Sequence, residues 1–200
     1  MTITLFPRRF RLYGKAALRL FGLFLLIVGG YYVFLQVTNN FATVVAGEVY
    51  RSSQPSAEAI AQFEKQYGIK TIINLRGESG KSKWYVDEVE QAKALNISHI
   101  DFRMSAGREL TPEQAEELIA IMRNAPKPLL IHCQAGADRT GLASALYLAA
   151  VAGKGEASAE RQLSLRFGHV PFSFSRAFAM DRTFEKMEPS LGFGVQDTNS

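Results

Sequence analysis

The chain has one cysteine, Cys133, and three histidines in 200 residues. A single cysteine excludes an intrachain disulfide and leaves no second thiol to protect the first by forming one. With so few histidines and no Cys/His cluster, the residues for a structural zinc site are missing, and no metal or cofactor is expected. Acidic residues are missing from the N-terminal part: all 19 lie at Glu48 or later. Of the 23 basic residues, five (Arg8, Arg9, Arg11, Lys15, Arg19) precede Glu48, leaving 18 against those 19. The net charge of +4 therefore belongs to the tail, and the body is near neutral. That distribution, without an aromatic-plus-basic signature, gives no footing for a nucleic-acid partner. No internal repeat is present.

Charge of either sign is also missing from residues 20–46, and residues 20–37 read LFGLFLLIVGGYYVFLQV. A helix needs ~20 apolar residues to cross ~30 Å of hydrocarbon. The run suffices if the uncharged residues after it supply part of the exit. The reading is a basic cytoplasmic tail over 1–19, a transmembrane anchor over 20–38 and a linker over 39–48. Tyr31, Tyr32 and Phe41 suit the interfacial belt, and the basic residues before the span place the body on the non-cytoplasmic (periplasmic) side. A cleaved signal peptide is the alternative, with Ala42 and Ala46 as small residues near a cut. The length and late aromatics of the run favour the anchor.

The body, residues 49–190, alternates strand and helix patterns. Residues 49–52 read as an edge strand, and Ser56 caps a helix over 57–67 that Gly68 ends. Residues 71–75 form a buried strand. Residues 83–96 are helical, with Val86, Val89, Ala92 and Leu95 on one face. A strand follows over 97–104. Thr111-Pro112-Glu113-Gln114 is a helix start: a Thr cap, Pro at the first position and Gln114 reaching back. Ala115, Leu118, Ile119 and Met122 give that helix its apolar face. Residues 129–132 are the central strand, 140–151 the helix after it, 158–167 and 173–187 two more helices, and 191–200 a flexible tail. The fold class is α/β, with a mostly parallel central sheet flanked by helices and preceded by one N-terminal transmembrane helix. In such sheets, sites form at the carboxyl ends of strands.

One such end carries His132-Cys133-Gln134-Ala135-Gly136-Ala137-Asp138-Arg139-Thr140-Gly141. Strand, tight loop and helix start aim backbone N–H groups and a helix N-terminus at one spot, which favours an anion. An arginine there can grip two oxygens of a phosphate at once. A lone cysteine after an apolar strand is otherwise a small buried hydrophobe. Here the surroundings make Cys133 a candidate nucleophile toward a phosphate ester.

The stretch resembles the H-C-x-x-G-x-x-R-S/T-G signature of the cysteine-dependent protein tyrosine and dual-specificity phosphatase superfamily, through His132, Cys133, Gly136, Arg139, Thr140 and Gly141. Tyr50-Arg51-Ser52-Ser53-Gln54-Pro55 and Ile73-Asn74-Leu75-Arg76 resemble openings of bacterial dual-specificity-like members, and the likeness covers roughly residues 49–172. It implies a protein tyrosine phosphatase-like fold and a phosphatase acting through a phosphocysteine. Cys133 would attack phosphorus, with Gln134, Ala135, Gly136, Ala137, Asp138 and Arg139 holding the phosphate. Arg139 would clamp two equatorial oxygens. Thr140 would donate a hydrogen bond to the departing thiolate, and His132 would order the loop.

The leaving alkoxide needs a proton. No Trp-Pro-Asp triplet occurs upstream. Asp101 has the right separation and Glu109 is a loop alternative, but Asp138 lies in the phosphate loop itself. C-x-x-G-x-D-R-T resembles the loop of bacterial triple-specificity and myotubularin-type phosphatases, where the loop Asp is the proposed acid. Asp138 is therefore preferred, with Asp101 as the alternative. Arg103 and Arg108 are candidates for a second anionic group of the substrate, with a solvated surface role as the equal alternative. Related lipid phosphatases often carry Lys before the loop Asp. This chain has Ala137, which leaves phosphoprotein, phospholipid and inositol phosphate substrates open. Gly77 to Ser82 resembles the end of a nucleotide-binding loop, but Leu75 stands where its first glycine belongs. It reads as a solvated loop near the active site, with Lys81 or Lys83 a candidate for touching substrate. A rhodanese-like sulfurtransferase and a non-catalytic phosphate-binding module are the alternatives. Thr140-Gly141 weighs against the first, and intact Cys133 and Arg139 weigh against the second.

Overall fold

Four-residue strands form the centre of the body. Leu129-Leu130-Ile131 is apolar on both faces, which suits a strand covered on both sides. The computed structural model of the chain describes residues 6–194, with side chains from Tyr13 onward. The side chains of Arg8, Arg9 and Arg11, and residues 195–200 of the expected flexible tail, lie outside the described residues. The strands are β1 (Ala42–Val45), β2 (Val49–Ser52), β3 (Thr71–Asn74), β4 (Ser98–Asp101) and β5 (Leu129–His132). They stand in the order β1-β2-β5-β3-β4; β1 is antiparallel to β2 and the other pairs are parallel.

Alternation along the strands sends side chains to two cores. Ile72 and Leu130 pack with Ile60, Phe63 and Ala92 of helices α2 (Ala57–Tyr67) and α3 (Lys83–Ala94). Ile73, Leu129 and Ile131 pack on the other face with α4 (Pro112–Asn124), α5 (Asp138–Ala150) and α7 (Ala179–Met187), through Leu118, Leu146 and Phe184. The capping expectations hold: Ser56 accepts from Ala59 N, Gly68 is left-handed, and Thr111 with Gln114 closes a full capping box. This α/β arrangement sets the loop after β5 at the carboxyl end of the central strand.

Several expectations need correction. The stretch read as a linker contains β1, so β2 is the second strand and its four residues are buried. The strand expected over 97–104 is Ser98–Asp101. The helix expected over 158–167 is a short α6 (Glu156–Glu160) followed by a 3-10 turn, Leu165–Phe167. That expected over 173–187 is a 3-10 turn, Arg176–Phe178, running into α7. Gly168 at φ 82° ends the first turn, since left-handed backbone suits glycine. Leu191 and Phe193 of the expected flexible tail pack against the core. On α3 the buried residues are Glu88 and Ala92, while Val86 is exposed.

Helix α1 (Phe6–Val37) is 32 residues long, and its stretch Lys15–Val37 is long and apolar enough to cross a membrane. At ~1.5 Å per residue that stretch matches a hydrocarbon core of ~30 Å. Its large apolar side chains are exposed from Leu18 to Phe34 and again at Val37. Asn39 and Asn40, both at positive φ, end the helix and turn the chain into β1.

Candidate active site

The loop from Cys133 to Ala137 is shaped by partners of its carbonyls. Gln134 O accepts from Gln54 N at 3.2 Å, and Ala135 O from Asn40 Nδ2 at 3.0 Å. Gly136 O and Ala137 O accept from Arg51 Nη2 at 2.7 and 3.3 Å. All four carbonyls are thus bonded outward. Among the described residues, the amides of 134–137 donate to no other group, so they are free for an anion. Gly136 has φ 70°, and a Cβ there would meet Ser53 N at 2.6 Å and Ser52 C at 2.7 Å. Only glycine lets the loop lie this close to β2.

Arg51 braces the loop from behind. It is fully buried, donates through Nη1 to Gln162 O (2.9 Å) and Oε1 (2.8 Å), and lies 3.6 Å over the Phe167 ring. Burial pulls its guanidinium down to about 9, against the opposing effect of Cys133. A second brace starts at Glu88. Its Oε1 lies 3.0 Å from His132 Nε2 and 2.7 Å from His99 Nε2, and Gln54 Nε2 donates to its Oε2. Burial pushes this carboxyl up, but the bonds from His132, His99 and Gln54 outweigh it and leave it at about 2. Gln54 Oε1 accepts from Arg76 Nη1 at 2.8 Å, and Arg76 stacks on Trp84 at 3.5 Å.

Two cavities meet at Arg139. The one holding Cys133, about 320 Å³, is also lined by Gln134, Ala135, Asp138, Tyr32 and Gln36. The other, about 650 Å³, is lined by Arg76, Arg103 and Arg108 among others. Arg139 Nη1 makes long contacts of 3.4 Å to Leu75 O and Met104 O, and Arg139 Nε is buried without a partner among the described residues. Asp138 Oδ1 lies 2.7 Å from His169 Nδ1, and His169 Nε2 lies 2.9 Å from Asp181 Oδ2. His169 is fully buried. Burial would lower its pKa, but the two carboxylates raise it above the ordinary imidazole value.

Residues 37–174 match the family described as DSP-PTPase phosphatase fused to NAD+ kinase. The chain belongs to this family. It is a dual-specificity-type cysteine phosphatase, in keeping with the loop geometry. A comparison with curated proteins gives no match. Among solved structures, TpbA of P. aeruginosa has a TM-score of 0.56 at 21% identity, over 78% of this chain and 92% of that one. The catalytic core of the S. cerevisiae PP-IP phosphatase SIW14, solved with citrate, gives 0.57 at 25% identity over 72% and 83%. PTPMT1 gives 0.56 at 12% identity over 76% and 98%. TpbA has also been solved in complex with pTyr. The phosphatase fold is common to all of them.

Against this family background, the structure brings Cys133, Gln134, Ala135, Asp138 and Arg139 to one cavity, with Gly136 and Ala137 forming the back of the loop. The hydrogen bond expected from Thr140 to Cys133 is not formed: Thr140 Oγ1 is buried without a partner among the described residues. Asp101 lines neither cavity; its oxygens accept from Asn74 Nδ2 (2.7 Å) and Tyr85 OH (2.6 Å). Glu109 lines the arginine-rich cavity but is paired with Arg182 and Lys186. Lys81 and Lys83 line neither cavity, and Lys83 pairs with Asp87 at 2.6 Å.

Sequence reasoning missed Arg51, Glu88, His169, Asn40, Tyr32 and Gln36 as parts of the site. An arginine inside a strand pattern and a glutamate on the inner face of a helix were visible signals, since each breaks an apolar pattern. His169 had no local signal: its partners lie 31 and 12 residues away.

Proposed function

We propose that the protein is a membrane-anchored phosphomonoesterase that works through a phosphocysteine on Cys133. The observation that supports this best is the outward bonding of all four loop carbonyls, which leaves the amides of 134–137, next to Cys133 in the chain, without partners among the described residues. The Cys133 thiolate attacks phosphorus, the S–P bond forms and the ester P–O bond breaks. Loop amides and Arg139 hold the equatorial oxygens as charge builds on them. Asp138 hands a proton to the leaving alkoxide; it lines the cavity, and reach comes before pKa in choosing an acid. His169, between Asp138 and Asp181, restores that proton across 2.7 Å. Water then attacks phosphorus, its proton passes through Asp138 back to His169, and Cys133 leaves as thiolate.

Helix α1 serves as the anchor over residues 20–38, with the basic tail in the cytoplasm and the phosphatase domain on the periplasmic side. The exposed apolar surface of the helix and its lack of acidic residues support this reading. The test is Cys133→Ser in the detergent-solubilised full chain. Hydrolysis of an aryl phosphate should vanish while inorganic phosphate still binds. Undiminished turnover would refute the mechanism.

A further inference from the structure

The apolar helix does not merely lead into the domain; it forms part of the catalytic cavity. Tyr32 and Gln36 of α1 line the same cavity as Cys133 and Arg139. They lie five residues and one residue before Val37, the end of the apolar stretch. At ~1.5 Å per residue, that sets them within ~8 Å of its end, around the boundary between acyl chains and headgroups.

The segment 166–168 helps fasten the body to this helix end. Tyr31 OH donates to Arg166 O, and a Cβ at Gly168 would lie 3.3 Å from Leu35 Cδ1. The buried Asn40 donates through Nδ2 to both Ala135 O (3.0 Å) and Phe167 O (2.9 Å). The chain around this segment carries an unusual surface. Leu165, Phe172 and Phe174 are 58%, 49% and 83% exposed, and beyond α1 only Val86 joins them among exposed large apolar residues described. The Phe172 and Phe174 rings stack at 5.5 Å. From residue 161 to 180 there is no acidic residue, while Arg161, Arg166 and Arg176 are all exposed. Exposed aromatics among arginines, continuous with an apolar helix, suit an anionic lipid surface.

We propose that residues 165–174 are a membrane-interface platform, and that the substrate is a phosphate monoester carried by a lipid, entering the Cys133 cavity beside Tyr32 and Gln36 from the plane of the bilayer. This rests on the phosphatase and anchor readings given above. The anionic surface recruits the arginines, the aromatic pair enters the interface, and the cavity mouth stays level with headgroup phosphates. A phosphorylated protein would have to approach the same mouth against the membrane.

The test uses the full chain reconstituted in phosphatidylcholine vesicles containing phosphatidate or a phosphatidylinositol monophosphate, with a soluble phosphotyrosine peptide and an aryl phosphate for comparison. At least one lipid should be turned over with kcat/KM about tenfold or more above the peptide. The double variant Phe172→Ser/Phe174→Ser should lose about tenfold on the lipid and keep its aryl phosphatase activity. Phe174→Trp should be quenched by brominated lipid. Peptide turnover equal to or above both lipids, full lipid turnover in the double variant, or an unquenched Trp would each overturn the proposal while aryl phosphatase activity persists. Loss of aryl phosphatase activity in the wild-type chain would instead overturn the phosphatase reading beneath it.

Discussion

Replacing Glu88 by Gln removes the charge that three neighbours share while keeping the shape of the side chain. The Glu88 carboxyl is lowered from 4.5 to about 2. Such a difference corresponds to roughly 3 kcal/mol of folding stability at neutral pH, at about 1.4 kcal/mol per unit. The folded value lies below the unfolded one, so this contribution is full above the unfolded pKa and is lost as pH falls through the folded one. Linkage leaves about 1 kcal/mol of that difference at about pH 3. Denaturant unfolding of wild type and Glu88→Gln across neutral to acid pH should show a gap of about 3 kcal/mol that closes toward about pH 2. Loosening His132 should also lower phosphatase turnover, because His132 leads directly into the phosphate loop. A stability gap that stays constant with pH would show that Glu88 is not held as a bonded carboxylate, and the bracing argument would fail.

Gly136→Ala would force a side chain into left-handed backbone at a cost of ~1–2 kcal/mol and against the β2 backbone as well; displacement of the loop should cut turnover by about a hundredfold, read in aryl phosphate assays. Arg51→Met would free the carbonyls of Gly136 and Gln162 and should destabilise the fold by about 3 kcal/mol, with weaker inhibition by inorganic phosphate as the kinetic sign. Asp138→Asn should slow alkyl phosphates by about a hundredfold and aryl phosphates far less; equal slowing of both would remove Asp138 as the acid. Because the His169 pKa is raised, its contribution is full below the unfolded value and is lost as pH rises through the folded one. Alkyl-phosphate turnover should therefore fall on the alkaline side, and His169→Gln should flatten that limb.

The phosphate loop was legible because its chemistry is local: a strand, a five-residue bend and a helix start lie within one short stretch of sequence. The capping box at Thr111 and the helix stop at Gly68 were legible for the same reason. The strand β1 was not, because four residues following a helix carry little pattern of their own and are fixed by pairing with β2. The helix expected over 158–167 broke into two pieces, with Gly168 required to turn the chain back toward α1. Asp138 was placed in the site from its position in the loop. Its connection to His169 and Asp181 is made only by folding α7 against α5.

Asn40 bonds the loop that carries Cys133 and the turn that follows α6 with one amide group. Helix α1 is therefore no leash from which the enzyme can be clipped without consequence. A version trimmed at the foot of the helix would lose Tyr32 and Gln36, and its reaction chamber would stand open on one flank. Substrate preferences recorded on such a trimmed form would describe a different enzyme from the full chain.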